Sequence, residues 1–384
     1  MELTDKKKEG LVWPVIIYLV LKPIYLFESG GLQICDYFLI AAIIFELILY
    51  FRGGLKFTMI RTPFFKYFFF LIAFQFLVNI IWYIFYQDSR LLLSSVFYVF
   101  NYFALIYFVS LAYSRGIKSV QKSLIWGVIG STAVALIGVF FNRGGVGRNV
   151  GFFNYPNHLG LHGLLLVTII YFLRDKISKP VRLVVIILDL IVVLSSSSKA
   201  SLIGIFVLLA LYLLTSEENV SVGNKIWKAL LLLALGAFIY MFFFSSVNPF
   251  ASNHYLTQVK YRMLAISKEN DSNLLTGRGY ARILELGPHF LWGLGEGAYS
   301  RFDILRNHEV HSMIVNLLVS YGLIGLSGYV MVFAHVIKNN KKTLYNLLGL
   351  SGFFLYSITH NCIRNTVLWL VIAVLLVRKN YEET

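Results

Sequence analysis

Apolar runs recur along this chain at a length that matches the hydrocarbon thickness of a bilayer, and that recurrence limits the fold more than any single motif does. A helix needs about 20 mostly apolar residues to cross roughly 30 Å. Such runs fall near 10–27, 33–51, 64–86, 91–113, 119–141, 225–245 and 311–337, with a shorter one at 158–173. Two more, 181–214 and 343–377, are too long for one span and are interrupted at 195–199 and 359–365. Reading each long stretch as a tight hairpin brings the expected total to about 12 transmembrane helices. With 58% hydrophobic and only 14% charged residues, the chain lacks the polar surface that a soluble globule needs. The expected fold class is therefore an all-α integral membrane protein.

Lysine and arginine in short loops mark the cytoplasmic side, which tests the parity of that count. Placing the N-terminus inside puts Lys6, Lys7, Lys8, Arg52, Lys56, Arg61, Lys66, Arg115, Lys118 and Lys122 in the cytoplasm, followed by Arg174, Lys176, Lys179, Arg182, Lys225, Lys228, Lys338, Lys341, Lys342, Arg378 and Lys379. Every alternate loop is basic. If either long stretch were a single span, a later basic loop would swap sides, so both termini are expected in the cytoplasm. The net charge of +15 would suggest nucleic acid in a soluble protein, but here most of the excess is this topological signal. No nucleic-acid partner is expected. Lys6, Lys7 and Lys8 precede a first apolar run with no Ala-x-Ala site, so that run is expected to stay as a helix rather than be cleaved. Cys35 and Cys362 have no metal-ligand spacing and suit small buried hydrophobes, although both fall at outer helix ends.

The orientation rule leaves some basic residues on the outer side: Lys22, Arg90, Arg143, Arg148, Lys199, Arg364 and those of one long polar insertion. Arginine dominates this set, which fits bidentate contacts to phosphate or carboxylate. The insertion, 246–310, lies between the ninth and tenth expected spans of a single domain covering 1–384. It carries Lys260, Arg262, Arg278, Arg282, Arg301 and Arg306 with His254, His289 and His308. Within it, 255–267 and 280–292 read as short helices flanking a turn-rich 270–279. The glycines of Trp292-Gly293-Leu294-Gly295-Glu296-Gly297 are expected to expose backbone N–H groups as a nest for an oxyanion.

Several outer positions can carry chemistry. His311 opens the span after the insertion, followed by Ser312, with Gly322 and Gly325 below it where another helix can approach. A neutral imidazole there can accept a hydroxyl proton, although a plain interfacial hydrogen bond is the commoner use of such a histidine. Arg278, between Gly277 and Gly279, projects from a bendable backbone, and Arg282 shares its face if a helix starts there, so the two can clamp a diphosphate. Asn142-Arg143-Gly144-Gly145-Val146-Gly147-Arg148 offers two arginines and glycine-freed N–H groups to phosphate, or is merely a tight turn. Lys199 closes the serine run 195–198, where a half-buried cation can meet an anion dipping into the bilayer. Asp189 is buried mid-span with no local cation and reads as a structural hydrogen-bonding group. Glu269-Asn270-Asp271 is a polar turn with no second acidic cluster to support a metal.

Four motifs together resemble the superfamily of O-antigen polymerases and O-antigen ligases, bacterial envelope glycosyltransferases with twelve helices and a long periplasmic loop late in the chain. They are Gly151-Phe152-Phe153-Asn154-Tyr155-Pro156-Asn157, then Ser197-Ser198-Lys199-Ala200-Ser201-Leu202, then Gly277-Arg278 with Trp292-Gly293-Leu294-Gly295, and His311-Ser312 with Gly322 and Gly325. The last has the family's His-to-Gly spacing and is the most specific; the likeness spans 142–326. It implies a polymerase of the bacterial inner membrane with a periplasmic active site, an undecaprenyl-diphosphate-linked oligosaccharide as donor, and neither metal, nucleotide nor other cofactor. His311 and Arg278 would be catalytic, the first activating the acceptor hydroxyl, with Arg143, Arg148, Lys199 and Arg282 contacting the diphosphate. The family commonly has arginine at the position of Lys199, and lysine keeps the charge but not the bidentate fork. Membrane lipid and a chain-length regulator protein are further partners that the resemblance allows. A ligase that transfers finished polymer to lipid A-core is the alternative. A transporter would predict internal repeats, broken mid-membrane helices and intramembrane charge, of which the sequence shows no repeat and, as intramembrane charge, Asp189.

Overall fold

The computed structural model describes residues 10–28, 30–52, 63–141, 148–214, 278–302, 310–338 and 342–382, with isolated positions between 227 and 261. Among these residues the fold is all helical, with no strand. The helices are α1 (Trp13–Leu21), α2 (Ile34–Phe51), α3 (Pro63–Tyr86), α4 (Ser89–Arg115), α5 (Ile117–Phe141), α6 (Pro156–Phe172), α7 (Lys179–Ser196), α8 (Lys199–Leu214), α9 (Met313–Ile337), α10 (Thr343–Thr359) and α11 (Thr366–Glu382). Of these, α3, α4, α5 and α9 are by length and composition able to cross a membrane, and Pro156–Phe172, Lys199–Leu213 and Thr366–Arg378 are shorter apolar helices. The first expected run, 10–27, yields only the nine residues of α1, which stops at Lys22.

Local chemistry sets the boundaries. Proline stands in the first turn of α1, α6 and α7, where its missing N–H costs nothing. Asp88 caps α4 by accepting from the Arg90 N–H, and Gly116, at φ 92°, separates α4 from α5. Both long apolar stretches divide where their sequence is interrupted. In the first, α7 ends on Ser197 in the left-handed conformation (φ 49°). In the second, α10 ends before His360 and α11 begins at Thr366.

Helix α6 is enclosed by the others, with every residue from Leu159 to Phe172 buried. The α8 and α10 backbones meet at Gly204 and Gly352, where a side chain on either would strike the other's carbonyl. Small residues of this kind let membrane helices pack closely. Large apolar side chains such as Tyr67, Phe70, Phe85, Phe141 and Met331 point outward, as a lipid-facing surface requires. Asp189 is fully buried and accepts from Thr132 Oγ1 at 2.9 Å, the structural bond expected of it. Cys35 and Cys362 are buried and unpaired with one another.

The insertion differs from its sequence reading in two ways. First, 280–292 is not one α-helix but two 3-10 segments, Tyr280–Glu285 and Gly287–Phe290, because Gly287 takes φ 50° and Pro288 follows it. The expected helix 255–267 lies almost wholly outside the described residues, as does Glu269-Asn270-Asp271. Second, the glycine-rich strip is not an open oxyanion nest. Gly293, Gly295 and Gly297 are all left-handed (φ 82°, 73° and 66°), but the N–H groups are used internally. Gly293 donates to His289 O, Leu294 to Val319 O at 2.8 Å, Gly295 to Ser320 O at 2.9 Å, and Glu296 to Asn79 Oδ1 at 3.1 Å.

The recipient of those bonds is a break in α9. Gly322 sits inside the helix at φ 64°, ψ −167°, which interrupts the hydrogen-bond ladder and frees the carbonyls of Val319 and Ser320. The strip fills both, and Leu291 O accepts in return from the Ile324 N–H at 3.2 Å. So what approaches Gly322 is the insertion's own backbone and not another helix, while Gly325 faces Tyr321 of α9. A Cβ on Gly322 would collide with the Leu291 carbonyl, and one on Gly293 with the Ser320–Tyr321 peptide. Replacing either glycine by alanine is expected to lower the melting temperature in detergent sharply, since backbone strain of about 1–3 kcal/mol adds to the collision. Gly236→Ala, at a site with open space around it, is the control; equal melting of all three variants would overturn this account.

Candidate functional site

At one end of the bundle a cavity of about 610 Å³ opens between the end of α1, the start of α6, the start of α9 and the turn between α10 and α11. Its charged and titratable lining comprises Lys22, Asp36, Arg148, Arg364, His158, His311 and His360. Asp36, its carboxylate, is spoken for: Oδ1 lies 3.4 Å from Lys22 Nζ and Oδ2 accepts from the Gln33 N–H. What remains is cationic and imidazole chemistry.

Each element sets its side chain by a local rule. Ser312 caps α9 by accepting from the Val315 N–H, and His311 therefore stands just outside the helix, exposed at the cavity lip. Arg148 donates to Asn157 Oδ1 at 2.6 Å and to the Ser196 carbonyl at 3.4 Å. The Asn149 N–H also donates to Ser195 O, so this outer loop is laced to the serine turn. Arg364 reaches Ser94 Oγ at 3.2 Å. Tyr280 ties the neighbourhood of Arg278 to the bundle, donating to Ile358 O at 2.9 Å and accepting from Ser312 Oγ. Arg278 Nε is buried without a hydrogen-bond partner. Arg278 does not itself line the cavity, but a buried arginine nitrogen without a partner suits an anionic ligand.

His360 reports the field in the cavity. Its Nδ1 is 2.9 Å from Thr359 Oγ1 and its ring stacks on Tyr356 at 4.7 Å. Burial first, then the positive charges of Arg278, His311 and Arg148, pull its pKa down to about 3. Arg278, His311, Arg148 and His360 thus belong to one electrostatic neighbourhood, although they come from four separate parts of the chain.

The other expected site residues fall elsewhere. Arg143 lies outside the described residues. Lys199 is half-buried at the start of α8, beyond the serine turn that holds Arg148, and does not line the cavity. Arg282 is buried in the 3-10 segment and does not line it either. Several outer cations have structural partners. Arg301 donates to Asp88 at 2.7 Å and to the carbonyls of Leu294 and Glu296, clamping the glycine-rich strip, and Arg90 pairs with Asp88 at 2.9 Å. Burial raises the Asp88 pKa, but the bonds from Arg90 and Arg301 outweigh it and hold the carboxyl below its usual range. His158 and His360 had no distinct sequence signal. The histidine and asparagine inside the interruption 359–365 were the available clue, since a helix break needs only small or polar residues and not a titratable one.

No protein-family model matches the chain. No solved structure matches it. The teichuronic acid biosynthesis protein TuaE of Bacillus subtilis (strain 168) is 25% identical over 215 residues, a stretch covering 52% of this chain and 40% of that protein.

His360 binds its proton only near pH 3 when folded, but near 6.5 in an unfolded chain. The unfolded state therefore holds the extra proton across that window, and stability falls as pH drops through it. Melting curves from pH 8 to 4 are expected to fall less steeply for His360→Gln than for the parent. Parallel curves would refute the assignment.

Proposed function

We propose that this chain is a membrane glycosyltransferase of polysaccharide biosynthesis, a polymerase that joins undecaprenyl-diphosphate-linked oligosaccharide repeat units on the outer face of the bacterial plasma membrane. The observation that carries this reading is the convergence of Arg148, Arg364 and His311 on one cavity whose carboxylate is paired with Lys22, with Arg278 close enough to act electrostatically on His360 of the same cavity. The likeness to a teichuronic acid biosynthesis protein supports the same class. That relative is named for a polysaccharide other than O antigen, so the reading does not depend on which glycan is made.

The chemistry follows from charge flow. The acceptor hydroxyl oxygen forms a bond to the anomeric carbon, the bond from that carbon to the diphosphate oxygen breaks, and the electron pair leaves with undecaprenyl diphosphate. His311 takes the hydroxyl proton. Arg278 and Arg148 stabilise the growing negative charge on the leaving group, Arg148 fixed in advance by Asn157 and the Ser196 carbonyl. Arg143, Lys199 and Arg282 are assigned to the flanks of the diphosphate on sequence grounds. No step requires a metal or nucleotide. The break in α9 does not favour a transporter, because its freed carbonyls are filled by the chain's own strip and are not offered to a passing substrate.

Arg278→Ala is expected to slow transfer about 100-fold, the cost of losing one donor to the developing charge, roughly 3 kcal/mol. His311→Ala is expected to shorten chain-length ladders as severely. Both are read by release of undecaprenyl diphosphate from a defined lipid-diphosphate oligosaccharide, and full ladders in both variants would remove the catalytic assignment. In a deletion strain, accumulation of single repeat units marks a polymerase. Finished polymer left on its lipid carrier marks a ligase.

A further inference from the structure

A second cavity of about 570 Å³ adjoins the first, and Gly30, Gly31 and Arg364 line both. The divide runs through the chain just before α9, where Val310 faces the second cavity and His311 the first. We infer that this second cavity is the subsite for the acceptor sugar, with the Glu296 carboxyl as the group that holds the acceptor's hydroxyls. The inference rests on the transferase reading above and gives it a second substrate site.

Glu296 is 4% exposed and lines the cavity. Its backbone is pinned on both sides, the N–H by Asn79 Oδ1 and the carbonyl by Arg301 at 2.8 Å. Oε1 accepts from Tyr98 Oη at 2.5 Å and from Asn316 Nδ2 at 3.4 Å. Oε2 accepts no hydrogen bond among the described residues. The structure spends several contacts on orienting this carboxyl and leaves one of its oxygens for the cavity. Ser94 and Asn316 add hydroxyl and amide groups and Tyr299 an aromatic ring that carries Arg90 at 5.9 Å, and Arg364 and Glu28 also line it.

That set suits a polyhydroxylated ligand better than an anion. Of the two arginines at this cavity, Arg90 is paired with Asp88 and Arg364, at the edge shared with the first cavity, donates to Ser94 Oγ, while the carboxyl oxygens of Glu296 meet hydroxyl donors well and phosphate oxygens poorly. The first cavity has the opposite bias. Two substrates that both carry sugar and diphosphate are thereby sorted, the donor's diphosphate to Arg148 and Arg278 and the acceptor's sugar to Glu296. A hydroxyl reaching out of the second cavity meets the first at the divide, where His311 stands ready for its proton.

The probe is the free oligosaccharide released by mild acid from the strain's own lipid-linked repeat units, which carries neither lipid nor diphosphate. In calorimetric titration the detergent-solubilised wild-type protein is expected to bind it, and Glu296→Gln to bind about 10-fold more weakly or worse. Tyr299→Ala, which leaves the Glu296 bonds in place, is expected to weaken binding too, whereas His311→Ala binds as the wild type does. In the transfer assay Glu296→Gln is expected to raise the KM for acceptor and leave that for donor unchanged. Absence of wild-type binding, or wild-type affinity in both Glu296→Gln and Tyr299→Ala, overturns the subsite even if transfer occurs. If binding follows the expected pattern while no undecaprenyl diphosphate is ever released, the subsite stands and the transferase reading falls.

Discussion

The arrangement of this protein depends on one repair. Gly322 interrupts α9, and in an apolar surround every freed backbone group costs several kcal/mol unless it finds a partner. The strip from Leu291 to Gly295 supplies the partners, with two N–H groups for two carbonyls and one carbonyl for one N–H. Only glycines at 293 and 322 let two backbones come so close. Asn79 of α3, fully buried, completes the joint by donating to Ser95 Oγ and Tyr321 Oη and accepting from the Glu296 N–H. A segment that would otherwise be a loop is thereby fixed to three helices. The positions of Glu296 on one side and of Arg278 and His311 on the other follow from that fixation.

The cations at this end of the bundle are anchored in two different ways. Lys22 is matched by Asp36, and Arg90 and Arg301 share Asp88. Those cations shape the strip and the end of α1. Arg148 and Arg364 are instead gripped by amide, carbonyl and hydroxyl oxygens. Bonds of this kind fix the direction of a guanidinium.

How much of this was legible in the sequence follows from the range of each interaction. The helices, the two interruptions at 195–199 and 359–365, and the Thr132-bonded role of Asp189 rest on local hydrophobicity and polarity, and the sequence displays these directly. His311 and Arg148, both singled out by the sequence, line one cavity. The glycine-rich strip shows the limit. Its left-handed glycines were readable as exposed N–H groups, but their partners, Val319 and Ser320, lie 25 residues downstream in a helix that gives no sign of breaking other than a glycine. Likewise 280–292 reads as helical by its apolar spacing, and only Gly287 with Pro288 divides it. His360 and Glu296 gain their meaning from long-range packing, the first against Arg278 and Arg148, the second against Tyr98 and Asn316.

The low proton affinity of His360 and the grip on Arg148 describe the same property from two sides. A half-buried imidazole is driven neutral first by burial and then by positive groups from separate segments held near it. Their repulsion is a standing cost to the fold. It persists because Tyr280 anchors one segment to the bundle, while Asn157 and the serine turn hold the Arg148 guanidinium of another. An anion placed among them would relieve the repulsion. A neutral sugar gains nothing from this field and is better served by the neighbouring cavity, where Arg90 is already paired. On the proposed reading, the two cavities meeting at Val310 and His311 sort the two substrates by charge.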